Sequence, residues 1–403
     1  MLKTVELSAA GRADKYTGLD TNYVPQLGAK WTPVESFAVR ASYSRGFRAP
    51  ALNQTTPGGA QFFLSNLYDP KRCQTDEETP KPGATEQDCN KSAAGTGGAN
   101  PDLKPEKSRS YSFGFVLAPA SNIGVTVDWY RIRKEGEVIL GSAFDALKNE
   151  DKNPGNVVRD TNPDNFVTDA NGNKIPGTGP LLMVREPWLN QGATETSGID
   201  LDASFRNKLG AYGALTTKLS ATYVISYKIA QNAGDIEHNT VGHDPGLWDW
   251  NLSNNTRIPR FKFNIASSWS FGDHAVNASV NYVGPISLMR GYNADVKYDQ
   301  PFCHYGKRQS TDAEANRDTT VPLYEDYFPE CEVKSWTTVG LGYTYTGFRN
   351  VTLNLNIRNL FDKAAPYYPG AGVNSAATPQ SGYLQGLHNN QGRYFTLNAR
   401  YVF

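Results

Sequence analysis

The sequence has no run of about 18 apolar residues, so it holds no candidate membrane-crossing helix. It has no charge bias, with 40 basic and 40 acidic residues, so it offers no basic surface on the scale nucleic acid needs. Methionine (3) and cysteine (4) are scarce. No Cys-x-x-Cys spacing occurs, which argues against a zinc or thiol-redox motif. There is no nucleophile elbow, no His-Glu-x-x-His and no phosphate loop, so the usual signatures of catalysis are missing. The opening stretch, MLKTVELSAAGRADKY, lacks the apolar core and basic flank of an export signal.

Aromatics and glycine are plentiful: Tyr 22, Phe 18, Trp 7 and Gly 37. The mean hydropathy is nonetheless only −0.53. A strand that shows alternate residues to lipid and to a wet lumen has this low average. The carboxy-terminal stretch QGRYFTLNARYVF is the clearest case. Phe395, Leu397, Ala399, Tyr401 and Phe403 fall on one face, and Tyr394, Thr396, Asn398, Arg400 and Val402 on the other. By itself this also fits the last strand of a soluble sandwich.

The same period of two recurs along the chain. Phe37, Val39, Ala41 and Tyr43 oppose Ala38, Arg40, Ser42 and Ser44, and Val351, Leu353, Leu355 and Ile357 oppose Thr352, Asn354, Asn356 and Arg358. Similar segments centre on Phe113, Val127, Leu201, Leu219, Ile265, Val280 and Leu341, with two weaker ones near Val5 to Tyr16 and Tyr23 to Trp31. This predicts an all-β fold, an antiparallel transmembrane β-barrel sheet of about twelve strands. Short turns near residues 32–36, 119–122, 207–212, 272–274 and 347–350 alternate with long segments at 49–105, 136–190, 229–256, 291–332 and 363–390. Every long connection then falls on one side, as in an outer-membrane barrel. Trp31, Trp269, Phe271, Tyr345 and Phe403 gather at the short-turn side, where an interfacial girdle belongs. The cysteines lie two by two in long segments, predicting Cys73–Cys89 and Cys303–Cys331 disulfides, with free thiols the alternative.

Four stretches resemble TonB-dependent outer-membrane receptors. They are Ser42-Tyr43-Ser44-Arg45-Gly46-Phe47-Arg48-Ala49-Pro50, Asn100-Pro101-Asp102-Leu103-Lys104-Pro105-Glu106-Lys107, Asn359-Leu360-Phe361-Asp362, and the terminal strand with Phe395, Leu397, Tyr401 and Phe403. The resemblance implies a bacterial outer-membrane receptor for a scarce, bulky nutrient: a siderophore, cobalamin or an oligosaccharide. Family barrels have about 22 strands around a plug. Residues 1–403 look like one partial barrel domain, about half of such a barrel, without plug or TonB box, and not competent for gated transport alone. The implied partners are outer-membrane lipid, the barrel-assembly machinery, a small-molecule ligand, and TonB if a plug and TonB box are supplied upstream.

No cofactor, metal site or catalytic role is expected. Two other readings compete: a secreted soluble β-rich carbohydrate-active or sugar-binding protein, for which Asp128, Asp200 and Asp202 are the nearest carboxylates, and a passive porin. Trp188, Trp248, Trp250, Tyr292 and Tyr298 are loop aromatics that can stack on a ligand. Asp235, Glu237, His238, His243 and Asp244 read better as a solvated loop than as a metal site. Asp169-Ala-Asn171-Gly172-Asn173 imitates a calcium loop but has Lys174 and Pro180 where that loop needs Gly and Glu, so it reads as a hairpin tip.

Overall fold

The computed structural model describes residues 4–56, 61–230, 237–244, 257–288, 332–368 and 382–403. Twelve strands form its wall: β1 (Thr4–Asp14), β2 (Asn22–Val34), β3 (Phe37–Arg48), β4 (Glu106–Ala120), β5 (Ile123–Leu140), β6 (Leu181–Lys208), β7 (Ala214–Ala230), β8 (Phe261–Phe271), β9 (His274–Val283), β10 (Trp336–Phe348), β11 (Val351–Arg358) and β12 (Tyr394–Tyr401). Each pairs antiparallel with its sequence neighbours, from β1 to β12 in order. The meander follows from the turns, because only antiparallel strands can be joined by connections of a few residues. Gly272, between β8 and β9, adopts φ 52°, a left-handed turn conformation that glycine reaches without strain.

The register puts the expected faces together. Leu353, Leu355 and Ile357 stand opposite Ala399, Leu397 and Phe395, while Asn354 and Asn356 stand opposite Asn398 and Thr396. The first set faces outward as a belt, the second inward. The belt ends in aromatic clusters at the short-turn side: Trp269 with Phe271 at 4.4 Å, Tyr345 with Phe348 at 5.1 Å, and Tyr401 with Phe403 at 5.0 Å between ring centroids. Water does not hold such a belt; a bilayer does.

Among the described residues the sheet has two free edges, β1 and β12, which do not pair with each other. Side-chain exposure shows the same: Leu7 on β1 and Leu397 on β12 are 78% and 73% exposed, against 43% for Phe113 and 39% for Leu355 inside the sheet.

The far end differs from a set of plain loops. β6 is 28 residues long, and its outer part, residues 181–190, is strand where the sequence suggested loop. Two further strands, Gln61–Leu67 and Lys91–Gly98, dock there, the second running parallel to β6 from Ala94 opposite Met183 to Gly98 opposite Pro187. With the helix Ala143–Lys148 and the strand Val157–Arg159 they bury Leu67, Leu147, Val157, Leu181 and Val184. A second cluster, Ile286, Leu288, Val333, Tyr368 and Leu384, packs the later connections. The first outer connection, residues 15–21, is short.

Candidate functional site: the inner wall and its mouth

The inner face is a lattice of paired polar groups. Arg40 on β3 donates to both oxygens of Asp128 on β5, at 2.8 and 2.5 Å. The two residues are separated by a strand, and the β4 position between them is Gly114. A Cβ at Gly114 would sit 1.9 Å from Asp128 Oδ1, so glycine is what lets the pair close over β4. The remaining carboxylates are also occupied. Thr222 donates to Asp200 at 2.7 Å and Ser220 to Asp202 at 2.6 Å. Lys30 meets Glu6 at 3.0 Å. Glu6, Lys30, Arg40, Asp128 and Asp200 line a trough of about 690 Å³ across β1 to β6. Each of the three candidate carboxylates is thus ion-paired or hydrogen-bonded to a neighbouring strand within the wall. This is a wetted wall.

The family-like stretches meet at the mouth. Arg48, ending β3, stands opposite Glu106, starting β4. Its guanidinium donates to both Glu106 oxygens, one bond at 2.8 Å. Glu106 is buried and also accepts the Val138 amide at 2.7 Å. Asn100 donates to the Trp188 carbonyl at 2.8 Å and accepts the Asp102 amide at 3.0 Å. Leu103 is fully buried. At the other end of the chain Asn359 clamps Lys363, accepting its amide at 2.8 Å and donating to its carbonyl at 2.9 Å. Asp362 accepts the Arg393 amide at 2.7 Å, joining the Asn-Leu-Phe-Asp stretch to the entry of β12. Phe47 packs edge-on against Tyr16 at 6.1 Å, and Phe361 is 72% exposed. Gly46, Ala49, Pro50, Pro101 and Pro105 lie in or beside these strand ends. Most of these motif residues thus do structural work where strands become loops.

Beyond the mouth, ion pairs fix the outer layer. Arg159, buried, donates to Asp69 and Glu150, with contacts of 2.5 to 2.8 Å. Burial lowers its proton affinity, but the two carboxylates outweigh that and hold it above the ordinary arginine value. Burial likewise pushes the Asp88 carboxyl up, yet the Thr85 amide and the Arg72 guanidinium together hold it below the ordinary carboxylate range. Cys73 and Cys89 are joined by a disulfide in this layer. In the later connections Asp244, fully buried, takes Arg257 at 2.8 Å and the Tyr368 hydroxyl at 2.5 Å. Burial first, then Asp244, raises the Tyr368 hydroxyl well above its ordinary pKa.

Asp244 is therefore not in a solvated loop, as the sequence suggested, and Glu237 pairs with Arg133 at 2.6 Å. No group of metal-ligating side chains occurs among the described residues. Asp169 accepts the amides of Asn171 and Asn173 at 2.9 and 2.8 Å, the expected hairpin tip. Of the loop aromatics, Trp188 sits half-buried on outer β6. Trp248, Trp250, Tyr292, Tyr298, Asp235, Cys303 and Cys331 lie outside the described residues. Sequence reading missed Arg40, Gly114, Arg159 and Tyr368. Arg40 and Gly114 carried a faint signal in their inward phase on β3 and β4; nothing local ties Arg159 or Tyr368 to partners far along the chain.

A family model described as TonB dependent receptor-like, beta-barrel, matches residues 2–360. No curated protein matches the chain. Two solved structures share its fold. The siderophore receptor PirA from Acinetobacter baumannii is 17% identical, with a TM-score of 0.56 over 99% of this chain and 43% of its own. A mutant of the ferric enterobactin receptor PfeA from Pseudomonas aeruginosa is 17% identical, with a TM-score of 0.54 over 99% of this chain and 43% of its own. The chain thus spans less than half the length of these structures.

Proposed function

Since the chain belongs to the TonB-dependent receptor-like β-barrel family, and so to the Gram-negative outer membrane, we propose that it binds a ferric siderophore at its mouth. The observation that carries this reading is the outer layer. Its buried ion pairs, disulfide and apolar cluster build an ordered layer on the outer end of β6, on the side of the long connections. A passive pore has no need of such a layer; a receptor that selects a bulky ligand does. The solved siderophore receptors of the same fold favour a siderophore over cobalamin or an oligosaccharide. Residues 1–403 act in this reading as one barrel domain that binds and conducts without chemistry. Gating requires a plug in the lumen and a TonB box that engages TonB. The family is one of transport receptors, and the occupied wall carboxylates speak against an enzyme.

Fluorescence titration tests the proposal, since Trp188 is in the outer layer. Receptor purified from outer membranes in detergent is titrated with ferric enterobactin, cyanocobalamin and a maltooligosaccharide. Saturable quenching by the ferric catecholate alone is expected. Saturation by either other ligand instead would replace the ligand class, and no response to any of the three would remove the receptor reading.

A further inference from the structure

The segment that leads into β12 carries a buried imidazole with no polar partner. His388 is 6% exposed. Its amide donates to the Leu384 carbonyl at 3.0 Å, but neither ring nitrogen has a hydrogen-bond partner among the described residues. The ring meets Trp336 edge to face, with centroids 5.6 Å apart and planes at 76°. The Trp336 indole nitrogen is buried and unpartnered as well. Trp336 opens β10, so this contact holds the segment entering β12 against the wall two strands away. A buried polar group without a partner costs free energy, and a fold that keeps one calls for a reason.

The surroundings are apolar. Leu384 and Leu387, on the same segment, join Ile286, Leu288 and Val333 in the second cluster. Ile286 and Val333 stand opposite each other on two short strands, Ile286–Ser287 and Glu332–Val333. The charged groups on these elements lie elsewhere. Glu332, Lys334, Asp362, Lys363 and Arg393 are exposed. Asp244 is occupied by Arg257 and the Tyr368 hydroxyl. Tyr367 is exposed, Tyr383 is half-buried, and His243 is half-buried opposite Ser287. None of these groups acts on the His388 ring: burial alone holds it below the ordinary histidine pKa.

Such a ring is compatible with the fold only while it is neutral. A proton on it creates a buried charge with no carboxylate and no acceptor to meet it, and carrying the ring into water relieves that charge. We propose that His388 is an acid-sensitive latch, whose protonation lifts the segment 382–390 off Trp336 and loosens the later outer connections while the barrel wall stays folded. Leu384 and Leu387 leave the second cluster with it, so opening at one ring spreads to the two short strands that the cluster holds. The folded imidazole binds its proton more weakly than the unfolded one. The latch is therefore fully closed above about pH 6.5 and weakens as pH falls from there toward the folded value. Over that window one proton is taken up on opening, and the opening constant rises by up to about tenfold per pH unit. Asp88 in the first layer keeps its charge to lower pH, so the two layers open in separate ranges.

The test uses receptor purified from outer membranes in detergent. Amide exchange is followed from about pH 7.5 to pH 5 and corrected for the intrinsic pH dependence of exchange. Opening of residues 382–390 should rise roughly tenfold from about pH 6.5 to pH 5.5. The strand Lys91–Gly98 in the first layer should stay protected. His388→Phe keeps a ring against Trp336 and cannot take a proton, so its profile should be flat; His388→Leu serves if phenylalanine is not accommodated. His243→Gln should leave the rise unchanged. Hydroxyl-radical labelling of Trp336 reads the same opening from the other side without any substitution, and should increase over the same range. A flat wild-type profile, an undiminished rise in the His388 variants, or loss of the rise in His243→Gln would overturn the latch, as would constant labelling of Trp336.

Discussion

Glu106 illustrates how a single side chain joins wall to mouth. It is buried, and its carboxylate is shared between Arg48 and the Val138 amide. Arg48→Ala leaves that carboxylate with one partner where it had two. A loss of about 1–3 kcal/mol is expected, toward the lower end because water reaches the exposed Arg48 side of the pair. The midpoint of thermal unfolding followed by near-ultraviolet circular dichroism in detergent measures it, and Glu106→Gln should be milder than Glu106→Leu. Asp88 gives a pH-dependent counterpart in the outer layer. Its folded pKa lies below its unfolded value, so its contribution is complete above about pH 4 and drains away as pH falls through the folded value. Protease nicking between residues 69 and 98 should therefore rise as pH falls below about 4, measured with an acid-tolerant protease, and Asp88→Asn should flatten that rise. Glu106 lay in a family-like stretch of the sequence, though nothing there named its partners, whereas Asp88 was no more than one acidic side chain among 40.

Strand by strand, the wall was legible because lipid on one side and water on the other impose the period of two directly on the sequence. Leu353 and Asn354 show the contrast, adjacent in sequence and on opposite faces of β11. Leu353→Arg places a charge in the lipid belt and should destabilise by about 2–4 kcal/mol near the midplane, whereas Asn354→Arg should be milder. Equal tolerance in a refolding titration would contradict the face assignment. The outer layer was not legible, for a physical reason. The strand Lys91–Gly98 reads KSAAGTGG, with no alternation and little strand propensity. Its small residues are instead what close packing requires: a Cβ at Gly95 would lie 2.4 Å from the Phe62 ring. Such a strand is specified by its neighbours, Gln61–Leu67 and outer β6, and a local pattern does not reveal it. The Cys73–Cys89 pair was legible because two cysteines in one long connection have few other partners. Cys73–Cys89 is formed, and non-reducing peptide mapping should recover it, together with Cys303–Cys331 as a separate bridge.

For the whole molecule, the question is what happens at the two edges. A sheet is stable in lipid when every backbone donor and acceptor has a partner, which in a barrel means closure. Here β12 ends a well-alternating series, while β1 presents Leu7, Ala9, Gly11 and Ala13 outward, a thin lipid face for a seam. The two strands do not pair, and the chain covers 43% of the length of structures whose fold it shares. The 403-residue chain by itself is therefore expected to remain open. Refolded in detergent, it should show slow amide exchange in β4 to β9 and fast exchange along β1 and β12, without a compact species on unheated gels. A compact, heat-modifiable band with both terminal strands protected would show that twelve strands close, and would mean that the weak outer face of β1 is no obstacle to a seam.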